Sequence, residues 1–400
     1  MTATLRSPLD DVRGASRLAV DLTVLMTDVV ETMHHNVARG RGATGIAAVA
    51  PATGLTGFVY RRIRGVTQLV GTVVDAVLAP LVPFVHGPHD WPGRDTLVGA
   101  INGVLGDHLE ATDNPLQIHM QLRMNGRAVD GGSRDPIAPK PRQRIVVAVH
   151  GLCMTDACWS RANHDHAKRL AHDLDAELVY LRYNSGRHIS TNGAQFAGQI
   201  DAMVSRWPTP PEITLVGHSM GGLVIRSACA AGAAAGQGWV QRVKAVVFIG
   251  TPHRGAPLER HGHGVDRLFA ASPYTVAFTR LSRIRSAGIT DLRHGSTRDT
   301  DWKGRDRFAH DGYACRPQPL PPQIAAFTIA GSLGKPSSSS PRGDGLVPVE
   351  SALGRHSGDD AGIAPARSFI AYETGHLDLL ASAAVYAQLR RWLVNRRAVR

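Results

Sequence analysis

The spacing of apolar positions predicts a regular succession of strands and helices from about residue 143 to the end of the chain. Short runs rich in β-branched residues have the length of buried strands, and between them apolar residues recur every three or four positions, as in amphipathic helices. Strands are predicted at 145–149, 177–183, 213–216, 243–249, 324–330 and 369–372, and helices at 159–173, 191–206, 220–235 and 377–394. This alternation is typical of an α/β fold with a mostly parallel sheet and helices on both faces.

The N-terminal part has a different pattern, because apolar residues recur at helical spacing from residue 16 to about residue 85. We expect two amphipathic helices there, within a helical N-terminal region at residues 1–115, packed as a layer on the main domain at 116–400. A surface that contacts a membrane, a lipid body or a partner protein is the alternative. Membrane contact is not favoured, because this segment is net acidic whereas membrane-surface helices usually carry a basic polar face.

Two further segments frame the predicted sheet. Asn125-Gly126 separates short runs at 117–124 and 127–130, and Asn-Gly is the strongest short signal for a hairpin. This hairpin is expected to supply the first, antiparallel strands, before a linker at 131–143 that is rich in Gly, Pro and Arg. The connection between Pro252 and Ile324 has about seventy residues, far more than ordinary connections need, and predicts a cap insertion at about 254–323.

Composition and charge exclude several classes of protein. With 400 residues and 43% hydrophobic residues the chain can bury a sizeable core. The net charge of +12 arises after residue 115, since residues 1–115 hold 9 arginines against 11 acidic residues. Arginines are scattered along the chain and aromatic residues make up only 6%, so the clustered basic footprint of a nucleic-acid binder is missing. We therefore expect no nucleic-acid partner.

Cysteine usage and the N-terminus bear on location. The four cysteines, at 153, 158, 229 and 315, have neither a metal-ligand spacing nor the density of a disulfide scaffold, although a bond between Cys153 and Cys158 stays open. Acidic residues occur where a signal peptide needs a basic start, and the uncharged segment 42–60 contains Pro51 and four glycines, which do not suit a membrane-spanning helix. These features predict a cytoplasmic protein.

The first chemical motif is the G-x-S-x-G pentapeptide from Gly217 to Gly221, with Ser219 at its centre. A glycine-rich chain produces this pentapeptide by chance often enough that its context decides. Here it follows a buried-strand run and precedes an Ala-rich helical segment, which is the context of a nucleophile elbow. Glycines at 217 and 221 would remove Cβ atoms that collide with the neighbouring strand and helix, leaving Gly217, His218 and Gly221 to form the turn.

A serine hydroxyl needs a base, and the base needs a group that fixes its tautomer. His376 follows the last predicted strand and precedes the last helix, and Asp344 follows the preceding strand. The chain order of Ser219, Asp344 and His376 is that of α/β-hydrolases, whereas Asp344 taken alone reads as an Asp-Gly turn residue. Asp378 and Glu350 are the rival acids.

Acyl transfer also requires N–H donors for the oxyanion. The backbone N–H of Met220, directly after the nucleophile, is the first candidate, and the N–H of Leu152, in a glycine turn after the strand at 145–149, is the second. His150 is expected to brace this turn by hydrogen bonds. The other histidines near it, His164, His166 and His172, lack the spacing of metal ligands and are expected on a solvated helix face.

Five segments together resemble the α/β-hydrolase superfamily, and most closely bacterial lipase/esterase-like proteins related to GPI inositol-deacylases. They are, in chain order, "VVAVHGL", "LVGHSMGGLV", "VVFIGTPHRGAPLE", "DGLVPVESA" and "TGHLDLL". The resemblance covers about residues 143–395 and implies Ser219, Asp344 and His376 as a catalytic triad, with Leu152 and Met220 as oxyanion donors. The turn after His150 lacks the glycine run of some esterases, and residues 1–115 lie outside the pattern.

Sequence therefore predicts a serine hydrolase that cleaves carboxylic esters, from a small molecule or a lipid, through an acyl-enzyme, with no cofactor and no metal ion. A thioesterase, amidase or acyltransferase with the same triad stays open, since acyl-enzyme chemistry does not fix the acceptor. So does a catalytically idle hydrolase fold that binds a lipid surface or a partner. The sequence predicts neither the acyl-chain length nor the oligomeric state.

Overall fold

The computed structural model of the chain describes residues 7–38, 54–84, 93–129, 137, 141–255, 285–308, 315, 318–336, 343–355 and 367–395. These residues fall into two compact units: one takes in the described parts of 1–94 and 107–117, and the other those of 95–106, 118–255 and 286–395. The boundary predicted at residue 115 stays a prediction. Most of the cap predicted at about 254–323, including residues 256–284, lies outside the described residues.

The second unit contains an eight-stranded sheet. Its strands are β1 (Gln121–Met124), β2 (Arg127–Ala128), β3 (Arg144–Val149), β4 (Glu177–Arg182), β5 (Glu212–His218), β6 (Val243–Ile249), β7 (Ala325–Ser332) and β8 (Ser368–Tyr372). The order across the sheet is β2-β1-β4-β3-β5-β6-β7-β8, in which only the pairings made by β1 are antiparallel. The predicted α/β-hydrolase fold with a mostly parallel sheet, begun by the hairpin at Asn125-Gly126, is thus confirmed.

Helices cover both faces of this sheet. Besides residues 95–106, which belong to a helix given below, the helices described in the second unit are α4 (His166–Asp173), α5 (Ile189–Val204), α6 (Met220–Ala234), α7 (Trp239–Arg242), α8 (Ala287–Leu292), α9 (Val349–Ala352) and α10 (Ala383–Leu393). Alternate residues of β3 belong to the hydrophobic cores on opposite faces of the sheet. Val147 and Val149 pack on the side of α5 and α6, whereas Val146 and Ala148 pack on the side of α4 and α10. Central strands that are apolar on both faces explain the unbroken runs in the sequence.

The predicted N-terminal helices are present as α1 (Pro8–Ala38) and α2 (Gly54–Leu78), which continues into a 3₁₀ turn at Ala79–Phe84. A third helix that the apolar spacing did not predict, α3 (Arg94–Ala111), follows them. Residues 95–106 of α3 belong to the unit that contains the sheet. Among the described residues, no helix combines the length and the apolar character needed to cross a membrane.

Two helices begin later in the chain than predicted, because a polar side chain within each predicted segment caps the N-terminus of the helix. The segment 159–173 forms a 3₁₀ turn at Asp156–Trp159 and then α4, whose N-cap Asp165 accepts a hydrogen bond from the N–H of Lys168. The segment 377–394 likewise forms a 3₁₀ turn and then α10, capped by Ser382. Aspartate and serine at these positions satisfy helix N–H groups that would otherwise lack an acceptor.

Candidate active site

Ser219 lies in a strained turn between β5 and α6. Its backbone has φ 53° and ψ −127°, a conformation that costs ~1–3 kcal/mol in a residue other than glycine and that neighbouring contacts must hold. The N–H of Ser219 donates to the carbonyl of Ile249 at 2.9 Å. A Cβ on Gly217 would lie 2.6 Å from the nitrogen of Gly222, and one on Gly221 would lie 2.3 Å from the carbonyl oxygen of Val149. Glycine is therefore required at both positions.

Asp344 and His376 are joined by a hydrogen bond inside the protein. Nδ1–H of His376 donates to Oδ2 of Asp344 at 2.7 Å, and both residues are buried. The second carboxylate oxygen, Oδ1, accepts the backbone N–H groups of Leu346 at 3.0 Å and Val347 at 2.8 Å. A further bond runs from the N–H of His376 to the carbonyl of Asp344 at 3.0 Å. The carboxylate is thus fixed in one orientation toward the imidazole.

The rival acids lie elsewhere. The side chain of Asp378 is 69% exposed and its nearest cation is Arg161, at 3.9 Å. Glu350 is exposed at the start of α9, where an acidic residue stabilises a helix N-terminus. Of the three candidates, only Asp344 bonds to His376 in the described residues.

The residues next to Ser219 and next to its hydrogen-bond acceptor Ile249 lie beside the pair formed by His376 and Asp344. The residue before Ser219, His218, donates its Nε2–H to the carbonyl of His376 at 3.1 Å, and the two imidazole rings are 4.8 Å apart. The residue after its acceptor Ile249 is Gly250, where a Cβ would lie 3.2 Å from Cε1 of His376 and 3.3 Å from Oδ2 of Asp344. The carboxyl ends of β5 and β6 therefore place the serine turn and the histidine–aspartate pair side by side.

The turn after β3 lies against the serine. A Cβ on Gly151 would lie 2.9 Å from Cβ of Ser219, so this turn passes directly over the elbow. Met220 begins α6, and the first N–H groups of a helix have no acceptor within it. Leu152, the other predicted oxyanion donor, follows Gly151 and packs partly against the core.

His150 braces this turn, as expected from the sequence. Its Nδ1–H donates to the carbonyl of Gly151 at 2.9 Å, its Nε2 accepts the N–H of Tyr183 at 3.4 Å, and the Tyr183 hydroxyl donates to the carbonyl of His150 at 2.8 Å. The two rings stack at 4.3 Å. Burial lowers the pKa of His150 to about 4, so the ring is neutral at pH 7 and keeps the one tautomer that fits both bonds.

Helix α3 supports the same turn from the other side, through glycines that sequence reasoning missed. A Cβ on Gly99 would lie 3.0 Å from the backbone of Met154, and one on Gly103 would lie 2.3 Å from Sγ and 2.6 Å from Cα of Cys153. Cys153 itself has φ 60°. The signal for this helix was the spacing of its glycines, which puts Gly99, Gly103 and Gly106 on one face.

The Thr251-Pro252-His253 segment after β6 packs against α6. Nη1 of Arg226 donates to Nδ1 of His253 at 3.0 Å, and the rest of the buried guanidinium bonds to the carbonyl of Gln318. Burial lowers the pKa of Arg226 to about 10 and holds the pKa of His253 well below its usual value. This neutral histidine is an acceptor for Arg226 and connects the segment to α6, the helix that follows Ser219.

One expectation about the remaining histidines is wrong. His172 is exposed as predicted, but His166 is fully buried on the inner face of α4, and His164 is half-buried beside it. Nε2–H of His166 donates to the carbonyl of Leu379 at 2.8 Å, and its Nδ1 lies 2.6 Å from Nε2 of His164. The distant carbonyl satisfies a polar group that would otherwise be costly to bury.

No residues gather here to hold a metal. In the described part of the chain, no group of three or more His, Cys, Asp or Glu side chains is arranged as ligands. All four cysteines are free, which leaves Cys153 and Cys158 unpaired. Burial raises the pKa of the Cys158 thiol to about 12 and also raises that of Cys153, so neither is an activated thiolate.

Residues 140–326 match the model of a protein family described as the PGAP1-like alpha/beta domain, which confirms the resemblance indicated by the motifs. No curated protein sequence matches the chain. Solved structures similar to it include the mature lipase BlEst2 of Bacillus licheniformis, at 16% identity, with 69% of this chain and 98% of that chain covered and a TM-score of 0.39. Another is a lipase-esterase related protein of Clostridium acetobutylicum, at 12% identity, 69% and 99% coverage and a TM-score of 0.34. A third is YbtT, a type II thioesterase of the yersiniabactin pathway, at 15% identity, 64% and 94% coverage and a TM-score of 0.36.

Proposed function

We propose that the protein is a serine hydrolase that cleaves carboxylic esters through an acyl-enzyme. Ser219 attacks the ester carbonyl while Nε2 of His376 takes the hydroxyl proton, and Asp344 stabilises the imidazolium that forms. The N–H groups of Leu152 and Met220 donate to the oxyanion of the tetrahedral intermediate. His376 then gives its proton to the departing alcohol and activates the water that releases the acid.

The observation that supports this proposal most strongly is the bond from Nδ1–H of His376 to Asp344. A neutral imidazole carries one proton, so a proton held on Nδ1 leaves Nε2 as an acceptor. An acceptor at Nε2 is what a base for a serine hydroxyl requires. The strained backbone of Ser219 at the carboxyl end of β5 also supports the proposal, because backbone strain of this kind is concentrated at functional sites.

Labelling with a fluorophosphonate tests the role of Ser219 without any knowledge of the natural substrate. We expect the parent protein to be labelled and Ser219→Ala to be unlabelled, with kcat on p-nitrophenyl esters reduced on the order of a millionfold. Ser205→Ala, which changes an exposed serine at the end of α5, is the matched control and should behave as the parent. Undiminished labelling of Ser219→Ala would end the proposal.

The choice of acyl substrate is tested separately, by comparing p-nitrophenyl esters of graded acyl length with the corresponding thioesters and anilides. An ester hydrolase should turn over the oxygen esters in water and transfer little of the acyl group to an added alcohol. Labelling at Ser219 combined with turnover of thioesters alone would retain the triad and replace the esterase by a thioesterase. Labelling without turnover of any of them would favour a fold that has lost catalysis.

A further inference from the structure

Helix α2 of the first unit has its apolar side chains on the outside. Its exposed apolar residues are Phe58, Val59, Ile63, Val66, Leu69, Val70, Val73 and Val77, each between 42% and 63% exposed. Most recur at intervals of three and four residues, so they share one face of the helix. Proteins that remain monomeric in water rarely expose a contiguous apolar face of this length, and such faces mark interaction sites.

The opposite side of α2 is charged and faces α1. The inner ion pairs are those of Arg64 with Asp28 and Glu31, and those of Asp75 with Arg13 and Arg17. Gly71 lies between them, where a Cβ would meet Val20 at 2.7 Å. This arrangement is the reverse of an ordinary helix pair in water, which buries its apolar faces and exposes its charges.

Helix α1 has a similar outer face. Among the side chains described in α1, Val12, Leu22, Met26 and Val30 are large, apolar and exposed, and the last three are spaced four residues apart. Each of the two helices therefore presents apolar side chains that are exposed among the described residues. Their burial in another phase or against another molecule would stabilise the bound state in proportion to the apolar area removed from water.

The distribution of charge on α1 and α2 indicates what kind of partner their apolar faces bind. All six acidic side chains described in α1 and α2 bond to basic groups of their own unit: Asp10 to Arg13, Asp11 to Arg94, Asp21 to His108, Asp28 and Glu31 to Arg64, and Asp75 to Arg13 and Arg17. The carboxylates that make this segment net acidic are thus turned inward and paired, whereas the exposed charges described on α2 are basic. Arg61 and Arg62 are exposed, and the guanidinium of Arg62 lies over the ring of Phe58, 5.0 Å from its centroid.

A second copy of the chain fits this face poorly. Packing two α2 helices through it would bury Arg62 among apolar side chains, while the carboxylates of both copies are already paired on the inner sides. An unpaired buried charge costs more than the surrounding apolar contacts return. At a bilayer surface the same arginine can reach lipid phosphate while Phe58 and the valines enter the acyl boundary.

We infer that α1 and α2 dock through these outer faces on a bilayer surface that contains anionic phospholipid. This inference concerns where the enzyme acts and does not depend on the identity of its nucleophile. Arg61 and Arg62 supply attraction to the headgroups, and the apolar stripe supplies the insertion. Docking of this kind would bring the hydrolase unit to esters that reside in a membrane.

Cosedimentation of the full-length protein with vesicles tests the inference. We expect binding to vesicles of phosphatidylcholine and phosphatidylserine in equal amounts, and weaker binding to phosphatidylcholine alone. Arg61→Gln with Arg62→Gln should weaken binding to the anionic vesicles by ~25-fold, about fivefold per arginine. Val66→Gln with Leu69→Gln should weaken binding to both kinds of vesicle at least ~10-fold, because two inserted apolar side chains are lost.

Glutamine favours helix more than valine does, so these substitutions should leave α2 folded, as circular dichroism can verify. Leu97→Gln is the matched control, since Leu97 is 50% exposed on α3 rather than on α1 or α2, and it should bind as the parent. The inference would be overturned if the parent protein bound neither kind of vesicle. It would also be overturned by a dimer in sedimentation velocity that Val66→Gln with Leu69→Gln dissociates while vesicle binding is unaffected.

Discussion

Asp344→Asn probes the candidate triad sharply, because asparagine keeps the size of aspartate and replaces one acceptor oxygen by a donor NH₂ group. Oδ1 of Asp344 accepts two backbone N–H groups, from Leu346 and Val347, so the amide oxygen of asparagine is expected in that position. The NH₂ group then faces Nδ1 of His376. The imidazole must accept there and carry its proton on Nε2, which is the nitrogen that has to take the proton of Ser219.

The size of the effect follows from the cost of flipping the amide. The flipped orientation restores the productive tautomer but turns NH₂ toward two N–H groups, which leaves the buried donor of Val347 and the partly buried donor of Leu346 without an acceptor, at ~1–3 kcal/mol each. A total of ~2–6 kcal/mol reduces the productive fraction by roughly 30-fold to 20,000-fold, because about 1.4 kcal/mol corresponds to a factor of ten. We expect kcat on a soluble p-nitrophenyl ester to fall by a factor in this range.

The assay compares Asp344→Asn with Asp378→Asn, which changes an exposed carboxylate in the turn after His376. Thermal unfolding of both variants establishes that they fold as the parent does, so that a loss of rate reflects the tautomer. Asp378→Asn should retain the parent rate. Parent-like activity of Asp344→Asn, or a greater loss in Asp378→Asn, would refute the reasoning from the two backbone bonds.

Three further predictions concern the surroundings of the site. Gly103→Ala places a Cβ 2.6 Å from Cα of Cys153 and should lower kcat at least ~10-fold, because it displaces the turn after β3 in which we propose the oxyanion donor Leu152. Gly65→Ala, in open space on α2, should leave kcat unchanged and stabilise the protein by ~0.5–1 kcal/mol, and equal effects of the two would contradict this. Burial lowers the pKa of His150 and of His166 to about 4. Between pH 6.5 and 4 the unfolded chain therefore binds protons that the folded protein does not. The free energy of unfolding should thus fall as the pH falls, by up to ~3 kcal/mol per histidine. Urea unfolding at about pH 7 and about pH 5 measures this, and equal values would count against it. Deleting residues 1–115 also removes Gly103 and the rest of α3, so the truncated protein should lose esterase activity or solubility; a monomeric and fully active truncated enzyme would show that α3 is dispensable.

The sheet could be predicted from sequence because its central strands are apolar on both faces and therefore form unbroken runs. The candidate triad could be proposed for a related reason, since parallel strands deliver their carboxyl ends to one edge and Ser219, Asp344 and His376 each follow a strand. The bond between Asp344 and His376 joins residues 32 positions apart in the chain, each of which follows one of two neighbouring parallel strands, β7 and β8. Local pattern and strand order are sufficient for inferences of this kind.

Sequence reasoning missed features that depend on a distant partner. Helix α3 is rich in glycine, which disfavours helix in isolation; Gly99 and Gly103 are explained by the backbone of Met154 and Cys153, and Gly106 by the side chain of Asn184. The burial of His166 depends on the carbonyl of Leu379, a residue 213 positions away in the chain. The outward apolar face of α2 is a third case, because helical spacing predicts that a stripe exists and leaves open what it faces.

Four glycines surround the candidate catalytic residues at a spacing that can be used to search other sequences. Gly151, Gly217, Gly221 and Gly250 each lie where a Cβ would meet Ser219, His376 or a neighbouring backbone atom. Glycine makes up 42 of 400 residues here, so requiring it at one more position reduces chance matches about tenfold in a chain of this composition. A sequence search that requires Gly151 and Gly250 in addition to the pentapeptide would therefore discard about ninety-nine of every hundred accidental matches. It would keep the sequences that have glycine at all four of these positions.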